Sequence, residues 1–528
     1  MNRRKKLKFK KLKLHPVTVY LILIIVTFLV SWGLNLFNFS TTYSTINPTD
    51  LSIEQNTVAV TNLLNYDGIK YAISNAAKNF ISFAPLSMFL MMAIGMSVAI
   101  SSGFLDTISS KYLSKIDNRL ITFLIILLAT ISTIINDIGY LILIPIAASI
   151  YEAKGRNPLS GVTAAFCGVA FGAGTTIFVG SSEVSLIPYT TSAARLVDKL
   201  FHVSLLSNIF IMIVSTVVLS IVGTVIIEQI IVPRFGRIKD KKEELDVEYI
   251  DTEEIEQDKL TRDYQESRGL RYALVTSIIM IIIFIYSLLP NLPLSGMLLD
   301  MNENTYLGQL FGQNSYFQDG FTYMMAILFL VIGLAYGIGS KKFKNDRDVF
   351  EGSHENLKQL GSIVIMIFFA SQFIALFKRT NIGTILTGIV ANVIDSITFG
   401  GLPLLILSII LIALANVFLT TAAAKWMILA PVIVPPLMQS NISPQFLQFV
   451  LRAADSMTKG ITPLSAFFVI FVAYLNLYNK DKENPIGIFQ AIRIIMPYCV
   501  IISVTWLLLL IGWYIIGLPI GPNVYPTV

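Results

Sequence analysis

Two apolar stretches of this chain, about 280 residues apart, are interrupted in the same way, and this pairing restricts the possible folds more than any other feature. In the first, Asn136-Asp137 leads into the run Ile138 to Ile150, with Pro145 inside it. In the second, Asn416 is followed by small residues from Thr420 to Ala424, then Trp426 and Pro431. A second pair of breaks follows at nearly the same offset. Gly172-Ala173-Gly174-Thr175-Thr176 interrupts one span, and Asp455-Ser456-Met457-Thr458-Lys459-Gly460 the other. Unwound backbone is tolerated at membrane depth only where it is buried in protein or lines a cavity. Paired breaks in corresponding halves therefore point to the binding site of a secondary transporter.

The bulk composition agrees with a chain dissolved in lipid. Mean hydropathy is +0.70 and only 14% of the residues are charged. A chain of 528 residues holds about nine to eleven spans of roughly 20 residues plus loops. The expected fold is all-α, with about nine transmembrane helices in inverted repeats. Candidate spans begin with Val17 to Phe37 and end with Ile494 to Leu518. Leu120 to Ile135, Gly161 to Gly180 and Gln445 to Leu477 are each read as one apolar segment, some long enough to conceal a hairpin.

Charge sets the orientation. The tail 1–15 holds eight Lys or Arg directly before the first span, which places it in the cytoplasm. Pro290 to Gly320 has no Lys or Arg and is expected outside; Ser340 to Leu360 is basic and expected inside. The mixed-charge stretch 233–269 reads as a cytoplasmic linker between a first membrane half, 16–232, and a second, 270–528. The last span leaves the C-terminus outside, in a multi-pass protein of the cell membrane. The formal net charge of +6 comes mostly from the basic tail, and it suits anionic lipid rather than nucleic acid. Cys167 and Cys499 offer no disulfide framework, and His15, His202 and His354 are scattered. No phosphate-binding P-loop, HExxH helix or nucleophile elbow is present. An ion gradient rather than ATP is thus the expected energy source, no enzyme activity is expected, and no cofactor beyond a sodium ion.

Ionisable residues within spans cost several kcal/mol unless paired or hydrated, so they carry the functional reading. Arg452, Asp455 and Lys459 fall at i, i+3 and i+7, on one helical face. They form either an ion-pair ladder between helices or a site, with Arg452 holding a substrate carboxylate and Asp455 a cation. Two cations against one carboxylate leave a positive charge over, which suits an organic anion. Lys459 is expected to set its ammonium against Asp455 and so to reduce any sodium dependence. Glu183 follows Gly180-Ser181-Ser182 in the first half, as either a proton-carrying carboxylate or a solvated loop residue. Asp137 reads as an ion ligand or a helix cap, and Trp426 as a stacking platform or a packing residue.

At these residues the chain resembles the AbgT family, the p-aminobenzoyl-glutamate transporters and related antimetabolite exporters. The likeness runs from His15-Pro16-Val17-Thr18 to Gly517-Leu518-Pro519-Ile520-Gly521-Pro522. It is strongest over Ala424-Lys425-Trp426-Met427-Ile428-Leu429-Ala430-Pro431 and Ile461-Thr462-Pro463-Leu464. The resemblance implies a homodimer whose protomers have a scaffold part and a transport part. It also implies two re-entrant hairpins, near 121–153 and 402–438. Around the permeation path it places Glu183, Trp426, Pro444 and Arg452, and in a sodium site Asn136, Asn416 and Asp455. Three positions depart from the family pattern: Glu183 stands where Asp is usual, Gly174-Thr175-Thr176 replaces a Ser-Ala-Asn tract, and Lys459 replaces a neutral residue. The resulting expectation is an ion-coupled carrier of a small organic anion, for p-aminobenzoyl-glutamate uptake or sulfonamide-type antimetabolite efflux. A dicarboxylate or amino-acid carrier of the same architecture is the alternative.

Overall fold

A computed structural model describes residues 14–47, 50–135, 137–236, 252–312 and 314–528. Asn136, the first thirteen residues of the basic tail and residues 237–251 of the charged linker lie outside the described residues.

Among the described residues the regular elements are helices, apart from one hairpin. Helix α1 (Pro16–Leu36) leads into strands β1 (Ser40–Ile46) and β2 (Ile53–Ala59), then α2 (Tyr66–Ser74) and α3 (Ala76–Ile81). A series of elements then occurs twice. In the first copy α4 (Ala84–Ser101) is followed by α5 (Phe104–Lys111), the pair α6 (Asn118–Ile131) and α7 (Gly139–Ala153), and the pair α8 (Pro158–Gly172) and α9 (Ser181–Ala194). Helix α10 (Ile209–Ile226) closes the copy, running through a π turn at Ile227–Ile231 into α11 (Val232–Phe235). Between the copies stand α12 (Thr252–Leu288), α13 (Tyr306–Phe311), α14 (Tyr316–Gly339) and α15 (Asp346–Lys358). The second copy is α16 (Gly361–Arg379), α17 (Ile382–Asp395), the pair α18 (Gly401–Asn416) and α19 (Ala422–Gln439), the pair α20 (Pro444–Thr458) and α21 (Phe468–Tyr478), and α22 (Ile488–Ile516).

Among the described residues eight helices are long and apolar enough to cross a membrane by length and composition, α19 among them. The breaks sit where the sequence places them, but they divide more than expected. The apolar run Gln445 to Leu477 is two helices, because Gly460 and Pro463 end α20 and the chain re-enters a helix only at Phe468. Leu120 to Ile135 and the run after Asp137 form helix–break–helix α6–α7, and α18–α19 repeats that arrangement. Helices α6, α7 and α18 have 14, 15 and 16 residues, short of the roughly 20 that a full crossing needs. The charged stretch read as a linker is helical from Thr252 onward.

The doubled series also starts its helices alike. Asn157 caps α8 by accepting from the Leu159 amide, and Ser443 caps α20 by accepting from the Phe446 amide. In both, a proline (Pro158, Pro444) takes the first helical position, where its missing N–H costs nothing. Gly174 and Gly460 stand equally far beyond these two prolines. A side chain on Gly174 would meet the Arg452 carbonyl and Ser456 of α20, and one on Gly460 would meet the Phe171 ring and Ala170 of α8. Each broken helix thus crosses the other at its glycine, the reciprocal contact that a two-fold relation between repeats demands.

Helix α14 packs between α4 and α12, and the amphipathic α15 lies against α4. Gly95 of α4 and Gly333 of α14 press on backbone of the opposite helix, at Ala326 and Ala99. Small residues at the crossing let these spans approach closely where lipid gives no hydrophobic drive.

Hydrogen bonds and ion pairs sort the loops onto two faces. On the first, Leu14 lies beside Gly487, Asn157 donates to Phe235, Lys154 donates to the Ser114 and Ile116 carbonyls, and Lys111 pairs with Asp263 and Glu266. On the second, Ser443 donates its amide to Pro526, Phe210 to Ile520, and Thr61 to Thr380. We call these the N-terminal and C-terminal faces.

Candidate functional site

The core of the doubled series encloses a cavity of about 790 Å³. Its mouth is lined from the C-terminal face by Leu51, Phe83, Phe311 and Lys378. Its depth is lined by residues of the chain breaks: Asp137 after the first, Ala173 at the end of α8, Asn416 with Thr420 and Thr421 at the α18–α19 turn, and Ser465 to Phe467 before α21. Arg452, Asp455 and Lys459 reach the same space from one face of α20, as their i, i+3, i+7 spacing requires.

Three cation–carboxylate pairs organise this depth. Arg452 Nη1 pairs with Glu183 Oε1, both side chains almost wholly buried, and Arg452 Nη2 also donates to the Ala173 carbonyl at 3.5 Å. Glu183 is therefore no solvated loop residue. Its second oxygen accepts from the Gly180 amide at 3.2 Å, making the N3 member of the capping box that opens α9. Lys459 Nζ pairs with Asp137 Oδ1 at 2.9 Å, with both side chains partly open to the cavity. Lys425 Nζ pairs with Asp455 Oδ1 at 2.7 Å and donates to Asn416 Oδ1 at 2.5 Å; the lysine has no exposed surface at all.

This arrangement revises the expected charge pattern. The ammonium set against Asp455 is that of Lys425, while Lys459 turns to the first hairpin. The expected surplus positive charge is absent from these groups: three cations face three carboxylates. Helical spacing does not find Lys425, which lies in a long apolar run beside Trp426 and on a different helix from Arg452 and Asp455. A lone lysine in such a run is itself the signal that finds it.

The amide of Asn416 is held in one sense. Its Nδ2 donates to the Asp455 carbonyl at 2.7 Å and to Thr458 Oγ1 at 3.1 Å, which leaves Oδ1 to accept from Lys425. A sodium ion placed between Asn416 and Asp455 would meet the Lys425 ammonium, so the described acceptors do not fit one. Among the described residues no cluster of His, Cys, Asp or Glu forms a metal centre.

Two further residues sit outside the cavity wall. Trp426 is fully buried and donates its indole N–H to Thr190 at 2.8 Å, and Thr190 in turn donates to Gln448 at 2.6 Å. It ties α19 to α9 and α20. Pro444 opens α20 at the C-terminal face, two turns before Arg452.

The model of the AbgT putative transporter family matches residues 10–528. The chain belongs to that family. It is 31% identical over 513 residues to the p-aminobenzoyl-glutamate transport protein of Escherichia coli (strain K12), covering 97% of this chain and 94% of that one. Among solved structures, the YdaH transporter of Alcanivorax borkumensis is 26% identical, with 96% of this chain and 100% of that one covered at a TM-score of 0.47. MtrF of Neisseria gonorrhoeae, described with a class of antimetabolite efflux pumps, is 28% identical, with 97% and 98% covered at a TM-score of 0.47. This AbgT-family chain is accordingly a multi-pass membrane transporter.

Proposed function

We propose that this transporter carries a small aromatic carboxylate of the p-aminobenzoyl-glutamate class across the cell membrane, driven by the proton gradient. The Arg452–Glu183 pair carries the proposal: Arg452 lines the cavity, and Glu183 is buried against it and is not itself part of the wall. A guanidinium fork matches a substrate carboxylate, and Glu183 is the carboxylate paired with that fork. An incoming anion takes over Arg452 only when Glu183 is neutralised by a proton, because two carboxylates on one buried guanidinium leave a negative charge uncompensated. Anion and proton then enter together. The cavity is of the size usual for drug-sized ligands, and Phe83, Tyr189 and Phe467 give it aromatic wall as well as charge. The 31% identity to a p-aminobenzoyl-glutamate transport protein supports the substrate class.

The basic residues Lys111, Lys154, Arg156, Lys341 and Lys342 lie on the N-terminal face, which supports a cytoplasmic N-terminus and an external C-terminus. In that frame the cavity opens outward. Phe467 on its floor stacks on Tyr140 at 5.1 Å, and beneath them Phe166 stacks on Phe471 at 4.0 Å, closing the way to the cytoplasm. Pairs α6–α7 and α18–α19 act as re-entrant hairpins that enter from opposite sides and carry the site between faces. The transporter works as a homodimer.

The test is uptake of p-aminobenzoyl-glutamate by purified protein in liposomes, with proton and sodium gradients imposed separately. Accumulation with an inward proton gradient, abolished by a protonophore, is the expected result. Flux of a simple dicarboxylate or amino acid in preference to the aromatic substrate would replace the substrate class.

A further inference from the structure

We propose that Lys425 is a tethered cation, permanently supplying in the second hairpin the positive charge that a bound sodium ion would otherwise provide. The observation is geometric. The Lys425 ammonium lies within hydrogen-bonding distance of the Asn416 amide oxygen and the Asp455 carboxylate, 2.5 and 2.7 Å away, and no part of it is exposed. These are the two described residues that sequence resemblance assigns to a sodium site. An ammonium and a sodium ion carry the same charge and seek the same oxygen acceptors, but only one fits between this amide and this carboxylate.

The surroundings fix the lysine rather than merely admit it. Both donors of the Asn416 amide are spent on α20, at the Asp455 carbonyl and Thr458 Oγ1, so its oxygen is turned toward Lys425. Thr458 Oγ1 donates back to the Ala413 carbonyl of α18 at 2.8 Å, closing a loop of hydrogen bonds between the two elements. Lys425 stands one turn into α19, just after the α18–α19 break. The charge therefore joins the hairpin's two arms to α20, the helix that carries Arg452. In a sodium-coupled carrier the ion makes such a junction only when bound; here the junction is part of the chain and travels with it. The Lys459–Asp137 pair applies the same device at the first break, though in a partly open position.

This inference rests on the proposed transport reading only for its functional consequence, and its test needs no substrate. The melting temperature of the purified protein is measured in sodium chloride and in choline chloride at equal ionic strength. Retention of radiolabelled sodium is measured alongside, for wild type, Lys425→Met and the control Lys425→Met/Asp455→Asn. The wild type is expected to melt identically in both salts and to retain no sodium. Lys425→Met frees the two acceptors and is expected to gain sodium retention and a rise of about a few degrees in sodium over choline. The double variant is expected to lose both gains. A saturable, sodium-specific stabilisation of the wild type that Asn416→Ala removes would overturn the proposal, and this arm decides even if Lys425→Met does not fold. So would a folded Lys425→Met protein that remains indifferent to sodium. Failure of p-aminobenzoyl-glutamate flux with sodium-indifferent melting would strike the substrate reading alone. Sodium-stabilised wild type with normal flux would strike only this inference.

Discussion

The two helix–break–helix pairs, α6–α7 and α18–α19, share an arrangement and place their charge at opposite ends. In the first, the buried charge is at the base. Arg156 Nη2 pairs with Glu228 Oε1 at 2.8 Å and covers the Tyr151 ring at 4.2 Å, while Thr122 donates to the same Glu228 oxygen and bonds Tyr151. That knot fastens α6, α7 and the following loop to α10 at its π turn. The tip of this hairpin carries only the half-open Asp137–Lys459 pair. In the second hairpin the base is held by neutral bonds, Ser443 donating its amide to Pro526 and its hydroxyl to the Tyr525 carbonyl. Its buried charge is at the tip, in Lys425, which pairs with Asp455 of α20 and donates to the neutral Asn416 amide. One repeat thus uses desolvated charge to fix a foot, and the other uses it at the cavity. Position in the repeat does not determine role; burial against water does.

The sharpest way to break this comparison is to strip the second tip. Asp455→Ala leaves the fully buried Lys425 ammonium without its carboxylate and is expected to cost about 3–5 kcal/mol, read as a fall in melting temperature. Replacing both members by apolar residues is expected to restore most of that loss; no recovery would mean that the pair is not the source of the cost.

Next in size is Arg452→Lys, which keeps the charge and loses the fork. Transport at equal expression is expected to fall roughly 10- to 100-fold, the worth of a charged hydrogen bond. Unchanged transport would assign Arg452 to helix fastening. Glu183→Gln keeps the cap on α9 and removes the titrating group. It is expected to abolish the response to a proton gradient while substrate binding, measured by calorimetry, persists. A normal response to the gradient would move the proton to another carboxylate.

At the first base, Glu228→Gln is expected to cost about 1–2 kcal/mol in stability and to leave substrate affinity unaltered. A large change in affinity would show that foot and cavity are not separate. The smallest effect is expected at Lys459→Asn. Its pair with Asp137 is part-exposed, so melting should move by about 0–1 kcal/mol equivalents, and transport should stay indifferent to sodium. Sodium dependence appearing in this variant would transfer the tethered-cation role from Lys425 to Lys459.

Much of this plan is written in local sequence. The breaks at Asp137, Gly174, Asn416 and Gly460 are legible because glycine, proline and polar residues stand out in apolar runs, and the face shared by Arg452, Asp455 and Lys459 follows from helical spacing. What escaped reading is who faces whom. The partners of Lys459 and Arg452 lie 322 residues away at Asp137 and in α9 at Glu183, brought close by the crossing of the repeats. Spacing along one helix cannot reveal a partner on another. In sequence the indole of Trp426 admits two readings for the same reason: only the contact with Thr190 shows it turned into packing. The β1–β2 hairpin is not legible in sequence because its run of Ser and Thr is too polar to register beside twenty-residue apolar segments, although Tyr43 and Ile46 bury against the helices.

The crossing at Gly174 and Gly460 has a mechanical consequence. With no side chain at either point, the break after α8 packs directly on α20 at Arg452 to Ser456, and the break after α20 packs directly on α8 at Ala170 and Phe171. The two interruptions therefore act as a single clasp. In the proposed transport cycle, the displacement that carries the cavity from one side of the bilayer to the other is expected to move both repeats in one step. Its relaxation, followed by a reporter on either half, should show one shared rate constant and not two.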